Sequence, residues 1–223
     1  MIATFINAGA IILGGLIGLL LKKYISEGFQ KVVMTSAGVT TLVLGIQMGL
    51  AAPSALANLF ALIIGGFIGF GIKLEDRILG LGNKIGGSGF GPGFLNASLL
   101  FCTGAMAVVG SIEAGTTGDY NLILIKSVMD GFSSIVFVAA YGLGVFASVI
   151  TVIVYQGFFT LMGSTLQPLL GEAGIGAISS VGGLMLILLA LNLLDIKNCH
   201  AGNFLPAIVL APFTQFLYSL LPL

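Results

Sequence analysis

The sequence predicts an all-α, polytopic membrane protein with about eight transmembrane helices. Of its 223 residues, 57% are hydrophobic and only 7% are charged, whereas about a quarter of the residues of a soluble domain are charged. The apolar residues are gathered into runs of about the 20 residues that a helix needs to cross a hydrocarbon core of roughly 30 Å. The basic residues lie almost entirely on one side of the resulting topology.

Eight apolar runs are long enough to be spans. They lie near 3–21, 33–51, 56–72, 94–112, 122–142, 145–165, 174–194 and 203–221. No basic region precedes the first run, which favours a retained span over a signal peptide. Only the glycines of "YGLGVF", Tyr141 to Phe146, separate the fifth run from the sixth.

The basic residues favour eight spans and set their orientation. With eight spans, seven of the eight basic residues share one side, and only Lys126 is opposite. The seven are Lys22, Lys23, Lys31, Lys73, Arg77, Lys84 and Lys197. Merging the fifth and sixth runs would move Lys197 across, so the positive-inside rule predicts separate spans with both termini outside.

The stretch between Lys73 and Gly93 is longer than a turn requires. Its apolar residues repeat every three or four positions, opposite charged ones; they are Leu74, Ile78, Leu81 and Ile85 against Glu75, Arg77 and Lys84. This pattern predicts a short helix at the membrane interface.

Paired glycines mark the first and third spans. Gly14 and Gly18, like Gly65 and Gly69, are four residues apart, which places two small residues on one helix face and lets another helix approach closely. We expect these four residues to serve helix packing.

Two parts of the chain align without a gap. Gln47 falls on Asn192 and Asn58 on Asn203, at the same offset. The alignment maps the second and third spans onto the seventh and eighth, which cross in the opposite direction, as in inverted-repeat transporters. The predicted organisation is a single membrane domain, residues 1–223, with repeat A at 1–72, the interfacial helix and connecting spans four and five at 73–144, and repeat B at 145–223.

The aligned amides are the first candidates for a solute site. An unpaired amide in hydrocarbon costs several kcal/mol, so Asn58 and Asn203 must bond to backbone, water or a solute. Helix capping is the competing interpretation, because both residues open a span and Asn is a good N-cap residue. The functional hypothesis lets Asn58, Asn203, Gln47 and Asn192 converge on one central site.

Asp130 is the carboxylate expected to lie below the membrane interface, and intramembrane acids are functional candidates. Lys126 is four residues away on the same helix face. A local ion pair at the outer boundary of the membrane is therefore the equal alternative to a role in ion or solute binding.

Three motifs carry a family resemblance over essentially the whole chain. They are "GGLIG" from Gly14 to Gly18, "DGFSSIVF" from Asp130 to Phe137 and "GNFLPA" from Gly202 to Ala207. With these the chain resembles the bacterial inner-membrane proteins of the YqgA/YdfK-like family. The resemblance implies the inner membrane of a bacterium and leaves the function to the residues.

The sequence favours a membrane transporter or channel-like facilitator for a small neutral or monovalent solute, because few fixed charges are available to compensate a multivalent ion. The alternative is a non-transporting membrane scaffold. The group Asp195, Cys199 and His200 is better explained by a solvated turn than by a catalytic centre, so no enzyme, cofactor or metal site is expected. The expected partners are the lipid bilayer, the solute or ion and further copies of the chain, and not nucleic acid.

Overall fold

The computed structural model describes residues 1–22, 27–51, 54–87, 89–102 and 105–220, and the regular elements in these ranges are helices. A short 3-10 helix, Ala201–Phe204, precedes the last of them. The α-helices are α1 (Ile2–Lys22), α2 (Glu27–Leu50), α3 (Ala55–Gly71), α4 (Leu74–Gly86), α5 (Phe90–Cys102), α6 (Ala105–Thr116), α7 (Asn121–Tyr141), α8 (Gly144–Leu193) and α9 (Leu205–Ser219).

Within the described residues, three helices, α1, α7 and α8, are long and apolar enough to cross a membrane. Two bent pairs raise the number to as many as five if each pair is one span: α2 with α3, bent by 119°, and α5 with α6, bent by 59°. The protein is therefore a multi-pass, all-helical membrane protein. The structure does not confirm eight spans, because α3 with 17 residues and α9 with 15 fall short of the about 20 residues of a typical crossing.

Glycines in the left-handed region separate the helices of the carboxyl-terminal half. Gly142, with φ of 75°, follows the last residue of α7, so the fifth and sixth predicted runs form separate helices. Helix α8 covers the sixth and seventh runs together and is broken at Gly171, where φ is 58° and ψ is −179°. This backbone conformation is open essentially to glycine alone, so α8 consists of a first half before Gly171 and a second half after it.

The contacts fix the relative direction of several helices. Asn7 bonds to Asp130 and Ser134 bonds to Ile11, so α1 and α7 run parallel. Helix α2 runs antiparallel to the second half of α8: a Cβ on Gly38 would lie 2.7 Å from Leu194, and one on Gly183 would lie 2.8 Å from the nitrogen of Gly49.

Gly65 and Gly69 lie against the chain around α9 in the same antiparallel sense. A Cβ on Gly65 would collide with Ala207, and one on Gly69 with the carbonyl of Asn203. Gly14 and Gly18 approach the carbonyls of Gly131 and Ile135 equally closely, on the parallel helix α7. All four glycines thus lie where helices approach closely, and their faces are covered by helices of the same chain.

Several helix ends meet at one end of the molecule, which we call the lysine end because Lys22, Lys73 and Lys197 lie there. A Cβ on Gly142 would lie 3.3 Å from the Nζ of Lys22, and a single cavity brings together the starts of α4 and α5 and the ends of α7 and α8. Lys23, which the sequence places with this group, lies outside the described residues.

Candidate functional site

A buried ion pair lies in the middle of α7. The Nζ of Lys126 bonds to Oδ2 of Asp130, and the two residues are only 5% and 6% exposed. The Nδ2 of Asn7, on α1, donates to the same oxygen at 2.9 Å. Asp130 lies nine residues after the start of α7 and eleven before its end, about 13 and 17 Å at 1.5 Å per residue. The predicted ion pair is therefore formed, with Asp130 near the middle of α7.

Close packing of α1 on α7 holds Asn7 against this pair. Gly14 lies against the backbone of Gly131, next to Asp130, and Ser134 donates to the carbonyl of Ile11 at 2.9 Å. Because the two helices touch at their backbones, the amide of Asn7 reaches the carboxylate directly.

The ion pair adjoins a cavity of about 260 Å³ that also contains Gln47. A second cavity, of about 360 Å³, has three lining residues in common with it: Leu44, Leu100 and Ser133. The two form one groove between α2 and α7, and the α2 residues Ser36, Thr40 and Thr41 add hydroxyls to it. We call it the α2–α7 groove; along α2 it runs from Val32 to Gln47.

The end of α5 and the start of α6 also lie at the cavity that adjoins the ion pair. Leu100, near the end of α5, and Met106, near the start of α6, both line it. The sequence predicts an unbroken span over 94–112, and the structure corrects this to two helices at 59°. Helix ends at membrane depth carry backbone groups that only protein, water or a solute can satisfy.

Asn58 is hydrogen-bonded inside the protein. Its Nδ2 donates to Oγ of Ser180 at 2.9 Å, and that hydroxyl can return a bond to Oδ1 at 3.2 Å. Ser54 is the residue that caps α3, accepting from the backbone nitrogen of Ala57. Asn58 is therefore neither the cap of its own helix nor a free ligand; it joins α3 to the second half of α8.

Asn203 and Asn192 lie at the lysine end. Oδ1 of Asn203 accepts from the backbone nitrogen of Glu75 at 3.0 Å, so this amide caps α4 and not α9. Oδ1 of Asn192 accepts from the backbone nitrogen of Cys199 at 2.7 Å. Asn192 also lines the lysine-end cavity, of about 490 Å³, beside Glu75 and Tyr141.

The predicted convergence of four amides on one site is wrong. Asn58 is in the first turn of α3, whereas Asn203 packs against Gly69 in the last turn, 11 residues or about 16 Å along the helix. Gln47 and Asn192 line different cavities. Of the five predicted site residues, Gln47 and Asp130 line one cavity, whereas Asn192 and Asn203 both lie at the lysine end.

Two buried polar residues, Asn7 and Glu75, were not singled out from the sequence as members of a site. Asn7 is a lone amide inside the first apolar run, a signal that could have linked α1 to Asp130. Glu75 is predicted on the charged face of the interfacial helix, but its carboxylate is buried and accepts from the backbone nitrogen of Gly202 at 2.8 Å, with Nδ1 of His200 at 3.1 Å from the other oxygen. Residues that arrive from distant helices could not be read from local patterns.

Comparisons with known proteins place the chain in a family. The model described as "Protein of unknown function (DUF554)" matches residues 2–216. The chain belongs to this family. The DUF554 assignment confirms the resemblance that the "GGLIG", "DGFSSIVF" and "GNFLPA" motifs indicate.

Two curated relatives match this DUF554 chain over nearly their whole length. One is "Uncharacterized membrane protein YdfK" of Bacillus subtilis (strain 168), 32% identical over 220 residues, covering 97% of this chain and 96% of the relative. The other is "Uncharacterized protein YqgA" of Escherichia coli (strain K12), 27% identical over 222 residues, covering 95% and 94%. No solved structure matches the chain.

Proposed function

We propose that the protein moves a small neutral or monovalent solute across the membrane, as a transporter or channel-like facilitator, through a site beside Lys126 and Asp130. The observation that carries this proposal is a buried ion pair at the middle of a membrane-length helix, directly adjoining a cavity. Charged residues at membrane depth are expensive and, where they occur, typically mark ion or solute pathways.

The charge balance of the site limits the solute. Lys126 and Asp130 neutralise each other, and the other polar groups of the α2–α7 groove are uncharged amides and hydroxyls such as Gln47, Thr41 and Ser133. Such a lining can exchange hydrogen bonds with a small solute but has no net charge to compensate a multivalent ion.

The helix directions support an inverted repeat in a modified form. Helix α2 is antiparallel to the second half of α8, and α3 is antiparallel to α9, as repeats of opposite topology require. We infer eight crossings, with the bent α5–α6 pair as the fourth and the two halves of α8 as the sixth and seventh. The clustering of lysines favours the lysine end as the cytoplasmic side of a bacterial inner membrane, with both termini outside.

The test is solute flux in reconstituted vesicles. Electrical recording and tracer uptake would be screened with small monovalent ions and neutral metabolites, first with the wild type and then with Gln47→Leu. Gln167→Leu is the matched control, because Gln167 is also an exposed helical amide but lines neither cavity of the α2–α7 groove. We expect Gln47→Leu to lower the flux at least several-fold and Gln167→Leu to leave it unchanged.

A membrane scaffold without transport is the alternative outcome. It would show no flux of any solute above empty vesicles from well-folded protein. Flux that responds equally to both glutamine variants would instead mean that the solute does not pass through the α2–α7 groove. Either result would overturn the proposed function.

A further inference from the structure

Helix α8 carries buried polar side chains that the ion-pair site does not include. Gln156 is 0% exposed, and neither its Oε1 nor its Nε2 has a hydrogen-bond partner among the described residues. The hydroxyls of Thr160, one turn further along α8, and of Ser111, on α6, are likewise buried and unpartnered within the described part of the chain.

Three such groups buried between apolar helices are costly unless a hydrogen-bonding partner meets them. Buried polar groups in proteins are almost always hydrogen-bonded to protein or to internal water, and the bilayer core supplies no water of its own. A glutamine amide needs up to four hydrogen bonds, so its partner must be able both to donate and to accept. Water and small polar solutes have this property.

The neighbouring helices enclose this part of α8. A Cβ on Gly157 would lie 3.3 Å from the side chain of Met1, which places the start of α1 beside Gln156. A Cβ on Gly115 would collide with the carbonyl of Thr160, so α6 lies across the next turn. Gln156 and Thr160 therefore lie between α1 and α6, on the side of the molecule opposite the lysine end.

Asn7 lies between these buried polar residues of α8 and the ion pair. Helix α1 is antiparallel to this half of α8, with Met1 beside Gly157 and Gly15 beside Phe146. Asn7 then lies about one turn closer to the lysine end than Gln156. Its Oδ1 is also buried without a partner among the described residues, while its Nδ2 is bonded to Asp130.

We propose that Gln156, with Thr160, Ser111 and Asn7, lines a hydrated passage that joins Asp130 to the outer face and accepts water or a small hydrogen-bonding solute. The proposal deepens the proposed function and rests on it. The α2–α7 groove would form the half of the path toward the lysine end, and the passage lined by Gln156 would form the other half. The lining is uncharged, so the passage suits neutral solutes and water-borne protons better than multivalent ions.

Thiol labelling tests the passage without reference to transport. Cysteine would replace Gln156 in full-length protein with Cys102→Ala and Cys199→Ser, and a small membrane-impermeant methanethiosulfonate cation would be added to right-side-out vesicles. Val181→Cys is the control: Val181 is also 0% exposed and lies 12 residues before the end of α8, as Gln156 lies 12 after its start. We expect position 156 to react at least tenfold faster than position 181, and equal rates would overturn the passage.

Substitution by leucine gives a second readout. In a dry, packed site, removing an unpartnered amide stabilises the protein, so a rise in the melting temperature of Gln156→Leu would overturn the proposal. A hydrated passage predicts an unchanged or lower melting temperature and, if the protein transports, flux reduced at least tenfold in Gln156→Leu but not in Gln156→Asn. Fast labelling at position 156 without any flux would leave the passage standing and overturn only the transport function.

Discussion

Lys126 and Asp130 are stable inside the bundle only as a pair. Each is about nineteen-twentieths buried, and an ion that loses its partner in such a place keeps its full desolvation penalty. Asn7 adds a third group that depends on the same carboxylate oxygen. The free energy of unfolding of variants with one or both residues substituted therefore measures how far each charge depends on the other.

We predict that Lys126→Met lowers the free energy of unfolding by about 3–5 kcal/mol, because Asp130 is left unpaired. Lys126→Met combined with Asp130→Asn should lose much less, since the amide at position 130 is neutral and still accepts from Asn7. Unfolding titrations in mixed detergent would measure both, with Lys22→Met, at the exposed end of α1, as the control. A double variant as unstable as the single one would contradict this role of the pair.

Gly14 tests the close approach of α1 and α7. Gly14→Ala places a methyl group on the backbone of Gly131 and should cost about 1–3 kcal/mol through overpacking. Gly9→Ala is the control on the same helix, because a Cβ there meets nothing within 4 Å. Melting temperatures in detergent would compare them; equal values would mean that the two helices are not in backbone contact.

At the scale of helices, the apolar runs predicted where most helices lie but not how they are interrupted. The run over 94–112 has no charged residue, no proline and no change in the spacing of its apolar residues that would reveal the bend between α5 and α6. The amide convergence failed for a geometric reason. Helix α3 runs antiparallel to the chain around α9, with Gly69 against the carbonyl of Asn203, so Asn58 at the start of α3 and Asn203 before α9 lie at opposite ends of the pair.

The break in α8 depends on Gly171. At φ of 58° and ψ of −179° a side chain is strained, so Gly171→Ala should cost about 1–3 kcal/mol. Gly71→Ala, at the end of α3 with open space around its Cβ position, should be neutral. If Gly171→Ala instead raised the melting temperature, as a helix-favouring residue would in an unbroken helix, the two-part description of α8 would be wrong.

At the scale of the whole molecule, composition predicted a multi-pass helical protein, and the family assignment and the apolar helices agree with it. Which buried polar residues meet could not be predicted, because Asn7 and Asp130 come from different helices and their contact follows from packing. Local sequence shows that each is polar, but only the fold shows which of them share a site.

The proposed topology makes a prediction about the chain termini. With the lysine end in the cytoplasm, a reporter that is active only outside the cytoplasm should be active when fused after the last residue of α9, and inactive when inserted beside Lys197. Paired reporters of opposite compartment preference, assayed in intact bacterial cells, would check both positions. Activity of the cytoplasmic reporter at the carboxyl terminus would contradict the proposed orientation.

Transport through the ion-pair site is tested most directly by the flux of the Lys126→Met/Asp130→Asn double variant in reconstituted vesicles. This variant should fold, so its transport can be separated from its stability. We predict wild-type protein content and melting behaviour with flux reduced at least tenfold for the solute that the wild type carries. Wild-type flux from the folded double variant would show that the solute does not pass beside Lys126 and Asp130.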